Sequence, residues 1–229
     1  MYKFLMILIP ILITANPLET AYDSILHVKD NKVFFKDGTT LPYDDKEKKD
    51  ILQKIKNPDI EDMLYLKYNK NMKTRNDAGR IRNEELFKKL YGKNKKEIEK
   101  NLTTIIWLPN HKGKKILFNR NEKAAYNLQL ISNELDRLPK KYMKYITNIS
   151  GTYVYRKISG TNRLSTHSFG IAIDIDTKFA NYWKWDKKLL YKNKIPKKIV
   201  KIFEKHHFIW GGRWYHYDTI HFEYRPELN

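Results

Sequence analysis

The sequence predicts an α+β protein in which a small antiparallel sheet carries the functional side chains and helices flank that sheet. Short runs that alternate apolar and polar residues, typical of strands, are mixed along the chain with segments of helical apolar spacing. The order of these segments does not follow the regular strand–helix–strand alternation of a parallel sheet. The sequence has no internal period either, which excludes a repeat architecture.

Length and composition limit the number of domains and the kinds of site that the chain can form. The chain has 229 residues, of which 41% are hydrophobic and 14% aromatic, enough for one domain with a substantial core and a modest extension. It contains no cysteine, which excludes disulfides, thiolate metal ligands and a cysteine nucleophile. Any metal ion must therefore be bound by histidines and carboxylates.

Residues 1–21 are predicted to be a signal peptide or an N-terminal anchor. Lys3 precedes an apolar run from Phe4 to Ala15 that is too short to cross a bilayer comfortably. Neither Ala15 nor Ala21 has a small residue two positions before it, so the cleavage site stays open. We expect an exported protein, periplasmic or associated with the cell envelope, with a membrane tether if the N-terminus is retained.

The strongly basic charge bears on the partners of the protein. A formal net charge of +19, from 45 lysines and arginines against 26 acidic residues, favours a polyanionic partner. The basic residues are mostly lysines in short groups such as "KKYMK" and "IPKKIVK", without an arginine stripe or an RNA-binding signature. We therefore expect no specific nucleic acid and an anionic cell envelope as the partner surface. A lysine-rich solvated face without a partner is the alternative interpretation.

Residues 22–100 are predicted to form an N-terminal extension of hairpins and helices. The stretch "ILHVKDNKVFFKDGTTLPYDD" alternates strand-like runs with Asp-Asn and Asp-Gly turns, which predicts one or two hairpins. Beyond residue 44, helical spacing predicts helices over residues 61–68 and over "NEELFKKLYGK", where Gly92 interrupts the pattern.

Residues 101–229 are predicted to form the main domain. "TTIIWLP" and "KKILFN" predict two strands joined by the loop "NHKG". The next segment has apolar residues at spacings of three and four, which predicts a helix with Asn121 as its N-cap and Pro139 as its stop. A last helix opens with Pro196 in its first turn.

The stretch "RLSTHSFGIAIDID", residues 163–176, carries the first part of the candidate site. Its isoleucines alternate with Asp174, so one face of the predicted strand belongs to the core and the other to a site. Gly170 gives the backbone freedom to bend between the histidine and the strand. His167 can therefore fold back over the face that carries Asp174.

A second strand-like run, "TIHFEYR", places His221 and Glu223 on one face near the C-terminus. Two strands of one sheet would bring His167, Asp174 and His221 together. Two histidines and one carboxylate suit one Zn²⁺ ion and leave a fourth position for water, as a catalytic zinc site requires. Asp218, three residues before His221, is the candidate general base. Glu223 is the alternative proton carrier, because its strand direction matches that of His221.

The two motifs together resemble the signature of the M15 zinc peptidases. That family includes D-Ala-D-Ala peptidases of VanY and VanX type and phage endolysins that cut the L-Ala-D-Glu bond. Its pattern Ser-x-His-x-x-Gly-x-Ala-x-Asp, followed later by an acidic residue three before a second histidine, is matched at Ser165, His167, Gly170, Ala172, Asp174, Asp218 and His221. Many members have glutamate where this chain has aspartate before the second histidine. That aspartate and the run "WGGRW" make the chain most similar to the endolysin-like branch.

The resemblance implies a fold, a cofactor and residue roles. The fold is that of the hedgehog and D-Ala-D-Ala peptidase proteins, with residues 101–229 as an M15-like zinc peptidase domain. By similarity, His167, Asp174 and His221 bind one zinc ion. Asp218 is then the catalytic acid and base.

An arginine upstream of the first histidine is also implied, to hold the carbonyl or carboxylate of the substrate. Arg156 in "TYVYRKISGTNRLS" is the predicted catalytic arginine. Arg163 is the alternative, and it is predicted to bind substrate together with Ser165. A guanidinium can bind a terminal carboxylate in a bidentate manner and can stabilise a developing oxyanion.

Aromatic residues are expected around the site as well. Histidines at positions 207 and 216 are expected at the entrance of a cleft. Four tryptophans are expected to form either a cleft wall or part of the core: Trp183, Trp185, Trp210 and Trp214.

The predicted function is that of an exported zinc metallopeptidase that acts on peptidoglycan stem peptides as a D-alanyl-D-alanine carboxypeptidase. The alternatives are an L-alanyl-D-glutamate endopeptidase and a non-catalytic protein that binds the cell wall. Two other peptidase classes are excluded. A serine D,D-peptidase needs Ser-x-x-Lys and a gluzincin needs His-Glu-x-x-His, and the sequence contains neither motif.

Overall fold

The computed structural model of the protein describes residues 15–70, 75–186 and 188–228. Residues 1–14, which carry most of the predicted signal peptide or anchor, lie outside the described residues. Within the described ranges, no helix is long and apolar enough to cross a membrane. Short helices alternate with small antiparallel sheets, which confirms the predicted α+β class.

The α-helices are short and lie between the strands in the sequence. Their bounds are α1 Pro17–Ala21, α2 Ile51–Lys56, α3 Glu84–Tyr91, α4 Lys95–Asn101, α5 Ala124–Leu135, α6 Met143–Ile146 and α7 Lys197–Lys205. The helix predicted in "NEELFKKLYGK" is confirmed as α3, which buries Phe87 and ends at Gly92. The helix predicted after Pro196 is confirmed as α7.

An N-terminal three-stranded sheet confirms the predicted hairpins. Strands β1 Ile25–Lys29, β2 Lys32–Phe35 and β3 Thr40–Pro42 pair in antiparallel order. The first turn contains Asp30 and Asn31, which adopt left-handed φ angles of 48° and 58°. Asn and Asp tolerate this conformation better than most residues, which explains why a tight turn forms there.

Strands β4 Leu102–Trp107 and β5 Lys114–Asn119 form a separate antiparallel pair, as predicted from "TTIIWLP" and "KKILFN". Helix α5 packs against β4 through polar and apolar contacts. The Gln129 side chain accepts from the amide of Ile106 at 2.9 Å and donates to its carbonyl at 3.0 Å. These bonds satisfy backbone groups on the side of β4 that does not face β5, where the Ser132 hydroxyl also donates to the Ile106 carbonyl at 3.0 Å.

The start of helix α5 differs from the prediction. The helix begins at Ala124, because Glu122 and Lys123 adopt left-handed φ angles of 51° and 63° that break a continuous helix. Asn121 is therefore not the N-cap. Its side chain instead donates to the carbonyl of Leu90 at 2.8 Å.

The helix predicted over residues 61–68 is also wrong, since the structure has a short 3₁₀ turn at Glu61–Leu64. Asp62 is 1% exposed, and its carboxylate contacts the ammonium groups of Lys49 and Lys54. A buried carboxylate requires such partners, and both lysines belong to the preceding segment. These tertiary contacts take precedence over the local helical spacing.

A four-stranded antiparallel sheet positions the candidate site. Its strands lie in the order β6-β7-β9-β8, with bounds β6 Ile149–Gly151, β7 Ala172–Ile175, β8 Phe208–Trp210 and β9 His221–Tyr224. Ile173 and Ile175 are fully buried in the core, as the alternation predicts. Asp174 therefore points to the opposite face of the sheet.

One hydrophobic core joins the two segments that the sequence divides at residue 100. Phe87 of α3 meets Phe169 edge to face, with ring centroids 5.6 Å apart. Leu18 from α1 and Phe222 from β9 belong to the same buried cluster. Residues 22–100 and 101–229 therefore fold around a shared interior.

Helix α1 is an integral part of this fold. The Asn16 side chain caps it by accepting from the amide of Leu18 at 3.0 Å. Leu18 is fully buried, and the Tyr22 hydroxyl donates to the carboxylate of Glu227 at 2.6 Å. The last part of the segment predicted as signal peptide or anchor therefore packs into the core.

Truncation at each of the two candidate cleavage positions should show how much helix α1 contributes to stability. A protein that begins at Asn16 keeps the buried Leu18, whereas one that begins at Tyr22 loses it. A buried leucine stabilises a fold by about 2–5 kcal/mol. We therefore expect the shorter protein to have a free energy of unfolding lower by about that amount and to unfold at a lower urea concentration. Equal unfolding midpoints for the two proteins, followed by tryptophan fluorescence, would contradict a structural role for α1.

Candidate active site

A 3₁₀ turn before β7 places the first histidine over the sheet. The turn spans Thr166–Phe169, and Gly170 follows with a left-handed φ of 67°. A side chain at Gly170 would also come within 2.7 Å of the Leu102 side chain. Glycine is therefore required there by conformation and by space. The bend between His167 and the strand is present, as predicted.

Strand pairing brings the second and third candidate ligands together. Asp174 on β7 lies directly opposite His221 on β9 in the antiparallel register. Oδ1 of Asp174 lies 2.9 Å from Nδ1 of His221, and Oδ2 lies 3.1 Å from Nε2 of His167. The two imidazole nitrogens are 3.3 Å apart. The sheet and the turn thus bring together the three side chains that the sequence predicts as ligands.

The three donor groups fit a zinc ion. Tetrahedral bonds of 2.0–2.1 Å place ligand atoms about 3.3 Å apart. The two imidazole nitrogens have this spacing, and each of them faces one oxygen of Asp174 at a slightly shorter distance. Nδ1 of His167 lies 2.7 Å from the carbonyl of Thr152, and Nε2 of His221 lies 3.0 Å from a carboxylate oxygen of Glu223. Both rings therefore have one nitrogen occupied by the protein and the other directed to a common point.

The electrostatics of the cluster favour a bound cation. Burial raises the pKa of Asp174, but the facing His167 and His221 lower it more, so this pKa lies well below its usual range. Asp174 is then ionised at neutral pH. Two imidazole nitrogens and one anionic oxygen that face each other at about 3 Å make a ligand set for a divalent metal.

Asp218 lies in the same cleft as the three candidate ligands. Its amide donates to the carbonyl of Gly211 at 3.1 Å, and a side chain at Gly211 would come within 2.6 Å of the Asp218 carbonyl. Burial raises the pKa of Asp218 to about 6, and the neighbouring Asp174 carboxylate adds to this rise while His221 opposes it. A carboxyl group with this pKa can take up and return a proton near neutral pH.

The two candidate arginines have different surroundings. Arg156 lines the cleft beside the three ligands and Asp218, and so does Ser165. Arg163 is not among the described residues that line this cleft. Its guanidinium donates instead to the carbonyls of Ile55 and Arg82. Arg156 is therefore in a position to contact a bound molecule. Arg163 instead binds the N-terminal segment through hydrogen bonds to its carbonyls.

Glu223, the alternative proton carrier, lies behind the cluster and is fully buried. Burial raises its pKa, but the Arg82 guanidinium and the hydrogen bond with His221 lower it more, so the pKa lies below its usual range. Glu223 is not among the described residues that line the cleft. This position favours Asp218 over Glu223 as the group that exchanges protons with substrate.

The aromatic residues divide between cleft and core. Trp183 and Trp214 line the cleft, and His216 joins them. Trp210 is 3% exposed and donates through Nε1 to the carbonyl of Thr219 at 2.8 Å, which places it in the core. Trp185 is 69% exposed.

Cleft residues from the N-terminal segment were missed by reasoning from the sequence. Arg80 and Arg82 line the cleft, and Asp77 accepts from the amide of His216 at 3.0 Å. Gly79 allows this approach, because a side chain there would come within 2.5 Å of the Trp214 ring. The pair of arginines around one apolar residue in "GRIRN" is a weak local signal, since it does not show which distant surface the arginines face.

Two histidines and an aspartate that converge beside a further carboxylate can hold a divalent metal next to a group that exchanges protons, an arrangement typical of metal-dependent hydrolases. Residues 159–224 match the peptidase M15 family model described as D-alanyl-D-alanine carboxypeptidase. The match confirms the M15 resemblance over these residues and indicates a hydrolase of the peptidase class. No curated protein and no solved structure shows significant similarity to the chain. The branch of the family stays a prediction.

Proposed function

We propose that the protein is an exported zinc metallopeptidase that hydrolyses peptidoglycan stem peptides as a D-alanyl-D-alanine carboxypeptidase. One observation carries the proposal. One ligand atom from each of His167, Asp174 and His221 lies within 4.8 Å of the other two, in a cleft that Asp218 and Arg156 also line. A peptide bond in that cleft would meet the metal ligands, a proton carrier and a cation together.

Residues of the chain have separate roles in the proposed hydrolysis. When bound, zinc supplies a Lewis acid that makes water nucleophilic at neutral pH and polarises a carbonyl. Asp218 takes the proton from the attacking water and returns it to the leaving amine, as its raised pKa of about 6 allows. Arg156 binds the developing oxyanion or the substrate carboxylate. Arg80, with 27% of its side chain exposed on the same cleft, adds a second cation.

The charge of the protein supports an anionic partner. The net charge of +19 favours association with an anionic cell envelope, and free stem peptides end in a carboxylate. The proposed location is therefore the periplasm or the envelope surface. An L-alanyl-D-glutamate endopeptidase is the second candidate, because Asp218 and "WGGRW" are shared with the endolysin-like branch by similarity.

Product analysis tests the proposed function. Purified protein would be incubated with muropeptides that carry pentapeptide stems, with and without a chelator, and the products identified by mass. We expect loss of one terminal alanine, abolished by the chelator and restored by zinc. Cleavage between L-Ala and D-Glu would select the endopeptidase instead. Full activity in a chelator-stripped sample would exclude a metallopeptidase.

Amidation of the terminal D-Ala should reveal whether the cleft recognises a free carboxylate. A hydrogen bond to a charged group contributes about 1.5–3 kcal/mol, so the amidated stem should have a kcat/KM lower by about one to two orders of magnitude. In Arg156→Ala the same amidation should matter much less, because the cation that contacts the carboxylate is gone.

Arg163→Ala is the matched control, since this arginine lies outside the cleft and bonds to backbone carbonyls. It should keep the full discrimination between free and amidated stems. Equal cleavage of both stems by the unmutated protein would refute the carboxypeptidase assignment.

A further inference from the structure

The imidazole of His221 is held from both sides. Nδ1 faces the candidate metal position, with Asp174 at 2.9 Å and His167 at 3.3 Å. Nε2 lies 3.0 Å from Oε2 of Glu223. A carboxylate accepts hydrogen bonds and cannot donate one when ionised, so it fixes the proton on Nε2. When the ring is neutral, as a metal ligand must be, Nδ1 has a lone pair directed at the candidate metal position.

Glu223 is itself fixed by two cations. Its Oε1 accepts from Nη1 of Arg225 at 2.9 Å, and its Oε2 accepts from Nη1 of Arg82 at 3.2 Å. Glu223 and Arg225 are fully buried. A buried carboxylate with this many donors has little freedom to rotate, because losing one bond would leave a charge unpaired in the interior.

Arg225 is held in turn by contacts with distant parts of the chain. Arg225 donates to the carbonyls of Gly79 and Ile81, both at 3.2 Å. Its Nε donates to Glu227, which also accepts from the Tyr22 hydroxyl at 2.6 Å. The orientation of Glu223 therefore depends on Tyr22 directly after helix α1, on residues 79–82 and on the C-terminal turn that contains Glu227.

We propose that Glu223 is a positioning residue of the metal centre, which sets the tautomer and orientation of His221 and is held in place by Arg82 and Arg225. It acts through His221 and does not contact substrate. The inference rests on the proposed function in one respect, since it requires that the cluster binds a divalent metal. Carboxylates that accept from a ligating histidine typically contribute about 10- to 100-fold to metal affinity.

A purely structural ion pair is the competing explanation, and the chain offers a matched control for it. Glu204 is 7% exposed, pairs with Arg213 at 3.1 Å and accepts from the Tyr68 hydroxyl at 2.6 Å. It is not among the described residues that line the cleft. Glu204→Gln should disturb a buried carboxylate to a similar degree without touching a candidate ligand.

The experiment measures zinc affinity and stability on the same proteins. Metal-free wild type, Glu223→Gln and Glu204→Gln would be titrated with zinc against a chromogenic chelator, and their melting followed without metal. We expect both variants to melt at lower temperature. Glu223→Gln should bind zinc about 10- to 100-fold more weakly, and Glu204→Gln within about twofold of wild type. Nitrogen NMR of wild type with zinc should show the proton of His221 on Nε2.

The outcomes separate this inference from the proposed function. If wild type binds zinc no more tightly than His167→Ala, the metal site itself is wrong. If wild type binds zinc tightly and Glu223→Gln does so equally, the positioning role of Glu223 is overturned. If Glu223→Gln does not fold, Glu223→Asp replaces it, since this variant keeps the charge and withdraws the carboxylate by one methylene. Unchanged zinc affinity in Glu223→Asp would then overturn the inference.

Discussion

Replacing His167, Asp174 or His221 by alanine should abolish zinc binding and peptide hydrolysis together. Each side chain offers one of three candidate ligand atoms that lie within 4.8 Å of one another, and a zinc site with two protein ligands binds far more weakly. Zinc content by elemental analysis and release of alanine from a pentapeptide stem are the two measurements. We expect about one zinc per chain in wild type and none in the variants.

His206→Ala is a suitable control for this prediction. His206 lies 2.7 Å from a carboxylate oxygen of Glu134 and is not among the described residues that line the cleft. It should keep both zinc and turnover. Retention of stoichiometric zinc in any of the three ligand variants would remove that residue from the ligand set, and retention in all three would exclude the site.

Asp218→Asn should retain zinc but lose turnover by about 10²- to 10⁴-fold. The asparagine keeps the shape of the side chain, so the loop held by Gly211 should stay in place. It cannot accept a proton from water or return one to the leaving amine. The ratio of kcat/KM values at equal zinc content measures this loss without a contribution from metal binding.

Asp176→Asn provides the comparison for Asp218→Asn. Asp176 directly follows strand β7 and is 9% exposed, and its carboxylate accepts from Asn148 and from the amide of Lys178. Loss of that carboxylate should lower stability and leave the proton transfer intact. If Glu223→Gln lost turnover at full zinc content while Asp218→Asn kept it, the roles of the two carboxylates would be reversed.

The faces on which the candidate ligands lie could be predicted because they follow from local geometry. Period-two alternation decides the face of Asp174, and a glycine with left-handed φ decides the return of His167. These rules act over a few residues, and the sequence shows them directly. The pairing of Asp174 with His221 joins residues 47 positions apart, and it was expected from the M15 signature.

Other parts of the site depend on contacts that no local rule describes. Arg82 pairs with Glu223 across 141 positions of sequence, and Arg163 turns away from the cleft to meet carbonyls of the N-terminal segment. Arg156 and Arg163 look alike in the sequence. Only tertiary contacts decide that Arg156 lines the cleft, whereas Arg163 binds backbone carbonyls.

The hydrophobic core shared by residues 22–100 and 101–229 limits which segments can be exchanged between related chains. The family match covers residues 159–224, yet the buried carboxylate behind His221 is held by Arg82, and His216 is held by Asp77. A chimera that contains only the matched stretch would place the three candidate ligands in another protein without these partners. The smallest transferable unit is therefore the chain from Asn16 onward, and recombination points for engineering belong in exposed loops, not at residue 100.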